Sequence, residues 1–144
     1  MAGSRFRGIA QVNVWAEDVA RARDWYAAVF GIEPYFQRPD ADAPLYVEFR
    51  LGADEDEFGI VSAGFAPGAP VPAAGSRAVG PRGVIARWHV DDLRSVVADL
   101  LERGAKEWEP VVEREADFIT ASVVDPFGNV LGLIQSPHFV SRGS

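Results

Sequence analysis

The chain contains no cysteine, a single methionine and only two histidines. The missing cysteines exclude disulfides, thiolate nucleophiles and cysteine-ligated zinc or iron–sulfur centres. No apolar run approaches the ~20 residues of a membrane-spanning helix. The opening residues, Met1 to Gly8, are polar and lack the apolar centre of a secretion signal. A cytoplasmic protein without a membrane partner is therefore expected. Basic residues are outnumbered, with 14 Lys and Arg against 21 Asp and Glu and a formal net charge of −7. That balance leaves no basic face for a phosphate backbone and excludes nucleic acid as a partner. Solubility is the simplest reason for the acidity, and a preference for cationic ligands is the sharper one. There is also no Ser-His-Asp spacing, no glycine fingerprint for nucleotides and no P-loop.

The residues that are present describe an ordinary globular domain of 144 residues, 48% apolar and 24% charged. Ile9 to Ala16 alternates apolar and polar side chains, as a strand with one buried face does. From Asp18 the period changes: Val19, Ala22, Tyr26 and Val29 recur at helical spacing. Asp18 is suited to cap the helix N-terminus, and Gly31 to end the helix. The same order returns later. Val84 to Val90 reads as a strand, Asp92 as a cap, and Leu93, Val96, Val97, Leu100 and Leu101 as one side of a helix closed by Gly104. Three short strands follow each helix: Glu33–Arg38, Leu45–Leu51 and Phe58–Ser62, then Glu107–Glu113, Phe118–Val124 and Val130–Gln135. The chain is thus an internal repeat: one module at about 8–63, a Gly/Pro/Ala-rich linker at 64–83, a second module at about 84–136, and a tail at 137–144. Asp125-Pro126-Phe127-Gly128 fits a type I turn, which makes the last two strands a hairpin.

This order of motifs resembles the vicinal oxygen chelate superfamily, the glyoxalase/bleomycin-resistance/dioxygenase group. The residues that carry the match are Asp18 with Trp25-Tyr26 and Val29-Phe30-Gly31, then Val90-Asp91-Asp92-Leu93, Gly104-Ala105 and Asp125-Pro126-Phe127-Gly128-Asn129. The resemblance covers about Ile9 to Ser136. It implies an α+β fold of two βαβββ modules forming an open, curled mixed sheet. It also implies a cup for a small molecule and, in the enzymes, a divalent metal. Carried over residue by residue, the family's metal positions fall on Gln11, on Ile85, near Ile60 (with Gly59 and Val61 beside it) and on Gly132. One possible donor in four does not hold such an ion, so no metal and no other cofactor is expected.

Strand alternation predicts what lines the cup. On the cup side it places Gln11, Asn13 and Trp15 from the opening strand, Tyr46, Glu48 and Arg50 from the third strand, and Ile85, Arg87 and His89 from the fifth. Trp108 is a further candidate, since tryptophan offers a broad flat surface for planar guests. Glu48 could instead pair with Arg50 or Arg87 across the sheet, and His89 could simply bond Asp91 or Asp92. Trp25 and Trp88 read as core, Trp25 alternatively as a dimer contact, and His138 as solvated. Three functions follow. The leading one is a metal-free protein that binds a small, partly aromatic molecule, such as an antibiotic or an aromatic metabolite, using Gln11, Asn13, Trp15, Tyr46, Arg50, Arg87 and Trp108. The alternative is a glyoxalase-like lyase or isomerase with His89 or Glu48 as catalytic acid and base. The third is a metal site of unusual register built from Gln11, Glu48 and His89. Exposed strand edges and helices, and the resemblance, suggest a homodimer.

Overall fold

A computed structural model describes residues 9–65, 85–137 and 139; His138 and most of the expected linker lie outside these. The chain divides into two compact units, Met1–Gly68 and Ala69–Ser144. Among the described residues no helix is long and apolar enough to cross a membrane.

The first unit runs β1 (Gln11–Ala16), α1 (Val19–Phe30), β2 (Phe36–Arg38), β3 (Tyr46–Leu51) and β4 (Asp56–Ser62). The second runs β5 (Arg87–His89), α2 (Leu93–Glu102), β6 (Lys106–Glu113), β7 (Ile119–Val124) and β8 (Val130–Gln135). Each unit carries one four-stranded mixed sheet, in the orders β1-β4-β3-β2 and β5-β8-β7-β6. In both, the first strand runs parallel to the last and the other neighbours are antiparallel. The repeat legible in the sequence is therefore a repeat of topology.

Local chemistry sets the helix ends as the sequence suggests. The Asp18 carboxylate accepts from the Arg21 N–H at 3.0 Å, and Asp92 accepts from Ser95 N–H at 3.2 Å. Each satisfies one of the free donors of a first helical turn. Gly31, with φ 71°, ends α1 in the left-handed region. Each helix buries one side on its own sheet. In the first unit Tyr26, Phe49, Phe58, Ile60 and Val47 are fully buried, with Tyr26 and Phe58 ring centroids 4.9 Å apart and Phe30 edge-on to Phe58 at 5.3 Å. In the second the core is aliphatic: Leu93 and Leu100 of α2 are buried, as are Ala121, Val123, Leu131 and Leu133 of β7 and β8, the strands on which α2 packs. Trp88 lies in line with Leu133 on the helix side but is only half-buried, and Trp25 is half-buried edge-on to Tyr26.

The hairpin between β7 and β8 is closed by Asp125. Its buried carboxylate accepts from the N–H of Phe127 at 2.8 Å and of Asn129 at 2.9 Å. Gly128 donates its N–H to the Asp125 carbonyl at 3.2 Å, as the type I turn requires.

Candidate functional site

Because helices cover one face of each sheet, the open face carries whatever polar chemistry each unit has. In the first unit, strand register aligns three rows across that face: Gln11, Glu57 and Arg50; Asn13, Gly59 and Glu48; Trp15, Val61 and Tyr46. Every residue assigned to this face from alternation alone is found on it. Two details differ from the sequence reading. Ile60, the position given to an acidic metal ligand, is fully buried on the helix side, and Gly59 occupies the open face instead. Glu57, which the sequence reading overlooked, stands beside Gln11, whose amide donates to its carboxylate at 3.3 Å.

Glycine 59 has a physical consequence. A Cβ there would collide with the Asn13 side-chain oxygen and lie 3.0 Å from the Tyr46 ring. With no side chain in the middle strand, groups on either side close over it. Asn13 donates to Gln11 at 2.9 Å, and the Tyr46 hydroxyl donates to Glu48 at 2.9 Å. Burial, first, and then the Glu48 hydrogen bond and charge push the Tyr46 phenol up to about 12. Arg50 pairs with Glu48 at 3.7 Å and lies over the Tyr35 ring, 3.7 Å from its centroid. Its buried Nε makes no hydrogen bond.

The second unit repeats the device with different side chains. Register aligns Arg87, Gly132, Ser122 and Glu109. Over the bare Gly132, the Arg87 guanidinium reaches Glu109 on β6 at 3.1 Å, and the fully buried Ser122 hydroxyl donates to the same carboxylate oxygen at 2.8 Å. The Ser122 hydrogen bond, with help from the Arg87 charge, holds Glu109 below the usual carboxylate range. Arg87 therefore pairs with Glu109, and Glu48 with Arg50.

His89 is tied at both ring nitrogens. Nδ1 accepts from the Ser136 backbone N–H at 3.2 Å, which leaves Nε2 as the protonated nitrogen facing Asp91 at 2.9 Å. Phe139 stacks on the ring at 4.6 Å. Trp15 and Trp108 are exposed, by 43% and 39%, enough to meet a ligand. Trp108 is the extra residue of a bulge in β6, between Glu107 and Glu109, and so has no partner across β7.

These side chains do not fit a divalent metal. In the first unit Gln11 and Glu48 are the only donors expected from the sequence, and both are engaged with neighbours. In the second, Ile85 and Gly132 offer no electron pair from a side chain, and the adjacent Arg87 brings positive charge. Among the described residues no group of three His, Cys, Asp or Glu converges to hold an ion.

A cleft of about 410 Å³ opens at one end of the first unit's open face, lined by Arg38, Pro39, Leu45, Tyr46, Val61 and Phe65. Its walls lie too far apart in sequence for alternation to have grouped them.

The comparisons with known proteins agree with this architecture. No curated protein matches the chain. Among solved structures, TioX from Micromonospora sp. ML1 is similar at 18% identity and a TM-score of 0.60, over 89% of this chain and 98% of that one. Lactoylglutathione lyase from Agrobacterium tumefaciens matches at 16% identity and a TM-score of 0.64, over 92% and 96%. A glyoxalase-related enzyme from Fulvimarina pelagi matches at 16% and 0.66, over 92% and 90%. At these identities the likeness is one of fold. A family model covers residues 8–133, and the chain accordingly belongs to the Glyoxalase/Bleomycin resistance protein/Dioxygenase superfamily.

Proposed function

We propose that this protein binds a small, partly aromatic molecule on the open faces of its sheets, without a metal and without chemical turnover. The single observation that carries this reading is the pair of glycines, Gly59 and Gly132, at matching places in the two units. Each removes a side chain where a ligating carboxylate would sit, and each lets neighbouring polar groups satisfy one another. The alternative, proton abstraction by His89 or Glu48, has weaker support. A general base needs a lone pair aimed at substrate, whereas both nitrogens of His89 are occupied and Glu48 is held by Tyr46 and Arg50. Surface suited to a guest lies elsewhere: the Trp15 and Trp108 side chains are exposed, and the first unit carries an apolar cleft. A homodimer in the cytoplasm fits the same reading.

The test is a fluorescence titration of the four tryptophans with a panel of planar cationic, neutral and anionic compounds. Saturable quenching by at least one class, lost on Trp15→Phe or Trp108→Phe, is the expected result. No quenching by any class, or steady turnover abolished by Glu48→Gln, overturns the proposal.

A further inference from the structure

We infer that the cleft at the end of the first unit takes an apolar, flat acid, with its carboxylate on Arg38; this rests on the binding reading above and gives it a place and a charge. The overall charge of −7 points toward cationic ligands, but the cleft is built the other way. Leu45, Val61, Phe65, Pro39 and the Tyr46 ring form its walls. Leu45 and Phe65 are 44% and 62% exposed, apolar surface that water covers unfavourably. The Tyr46 hydroxyl is spent on Glu48, so it presents a ring and no free proton. Arg38 is the one charged residue of the lining.

That charge is uncompensated. Among the described residues Arg38 forms no ion pair, and its guanidinium lies 6.0 Å from the centre of the Phe36 ring. The closest acid in sequence, Asp40, is turned into its own loop, where it accepts from the N–H groups of Asp42 and Ala43 at 2.9 Å each. Arg23, by contrast, is occupied by Asp24, Gln37 and the Ala41 carbonyl. A guanidinium at the rim of an apolar cleft provides forked donors for a planar carboxylate. The volume, about 410 Å³, lies within the ~300–1,000 Å³ typical of small-molecule sites.

The experiment is calorimetric titration of the full chain with 2-naphthoate, 2-naphthamide and 2-naphthylmethylammonium, which share a ring system and differ in charge. 2-Naphthoate should bind about tenfold or more tighter than the other two, as expected for one charge-assisted contact. Arg38→Gln should erase that preference, and both Val61→Trp and Leu45→Glu should abolish 2-naphthoate binding. The second of these changes an exposed residue, so it reports even if the first disturbs folding. Retention of the preference in Arg38→Gln, or 2-naphthoate binding unaffected by Leu45→Glu, overturns the inference. If no naphthalene binds while another compound of the panel quenches the tryptophans, the inference falls and the broader binding reading stands.

Discussion

Replacing Gly132 with alanine adds one methyl group to the middle of a sheet, and the structure says what it meets. The new Cβ would lie 2.6 Å from the Ala86 carbonyl oxygen, 2.8 Å from Ile85 Cγ2 and 3.1 Å from Arg87 Cγ. The isoleucine methyl can rotate away, but the carbonyl belongs to the chain just before β5, and relieving it requires that backbone to move. Overpacking of this kind costs ~1–3 kcal/mol. The opposing gain, from restricting the unfolded chain when glycine becomes alanine, is ~0.4–1 kcal/mol. The net expectation is a loss of about 1–2 kcal/mol, or a fall in Tm of roughly 3–8 °C for a chain of this size. Gly59→Ala is the internal comparison. There the first obstacle is the end of the exposed Asn13 side chain, which can swing aside, so the cost should be smaller. Thermal melting of both variants checks this. A Gly132→Ala protein as stable as the parent, or a Gly59→Ala protein that loses more, refutes the view that the chain entering β5 lies too close to Gly132 for a side chain.

Three further outcomes follow from the same geometry. Asp125→Ala leaves two backbone N–H groups of the β7–β8 turn without their acceptor, and should lower unfolding stability by ~1–3 kcal/mol in urea melts. Tyr46 should ionise near pH 12 in ultraviolet titration. Because its folded value lies above the unfolded one of about 10, folding stability should fall as pH rises from 10 towards 12, and Glu48→Gln should bring the midpoint down. Ser122→Ala should cost ~1 kcal/mol near neutrality. Glu109 is held low, so its contribution is present above the ordinary carboxylate range and lost on acidification; the difference between Ser122→Ala and the parent should therefore shrink in acid.

How much of this was readable beforehand depended on whether the signal was local. Asp18 and Asp92 cap helices through bonds to residues three positions on, and Asp125 closes a turn within four, so composition and spacing announce them. Alternation within a strand likewise separated Val47 and Phe49 from Tyr46, Glu48 and Arg50. It could not say which residue of β4 faces Gln11, because that is a matter of register between β1 and β4, which are joined by a helix and two strands. The acidic position consequently landed on the buried Ile60, while Glu57 and Gly59 hold the open face. The Arg87–Glu109 pair was hidden for the same reason: it spans four strands and exists only because Gly132 leaves a gap. Trp108 shows another limit, since its bulge breaks the alternation that would have assigned it a face. The Arg38 cleft draws on three strands (β2, β3 and β4), the loop between β2 and β3 and a short 3-10 turn, and no periodic pattern connects them.

We propose that this protein binds its ligand without a metal. The most direct test is to measure tryptophan quenching by a bound panel compound before and after exhaustive chelation, with the metal content of the same sample determined. A substoichiometric metal content and an unchanged dissociation constant are the expected results. One tightly held divalent ion per chain, with binding lost on chelation and restored by the ion, would contradict it.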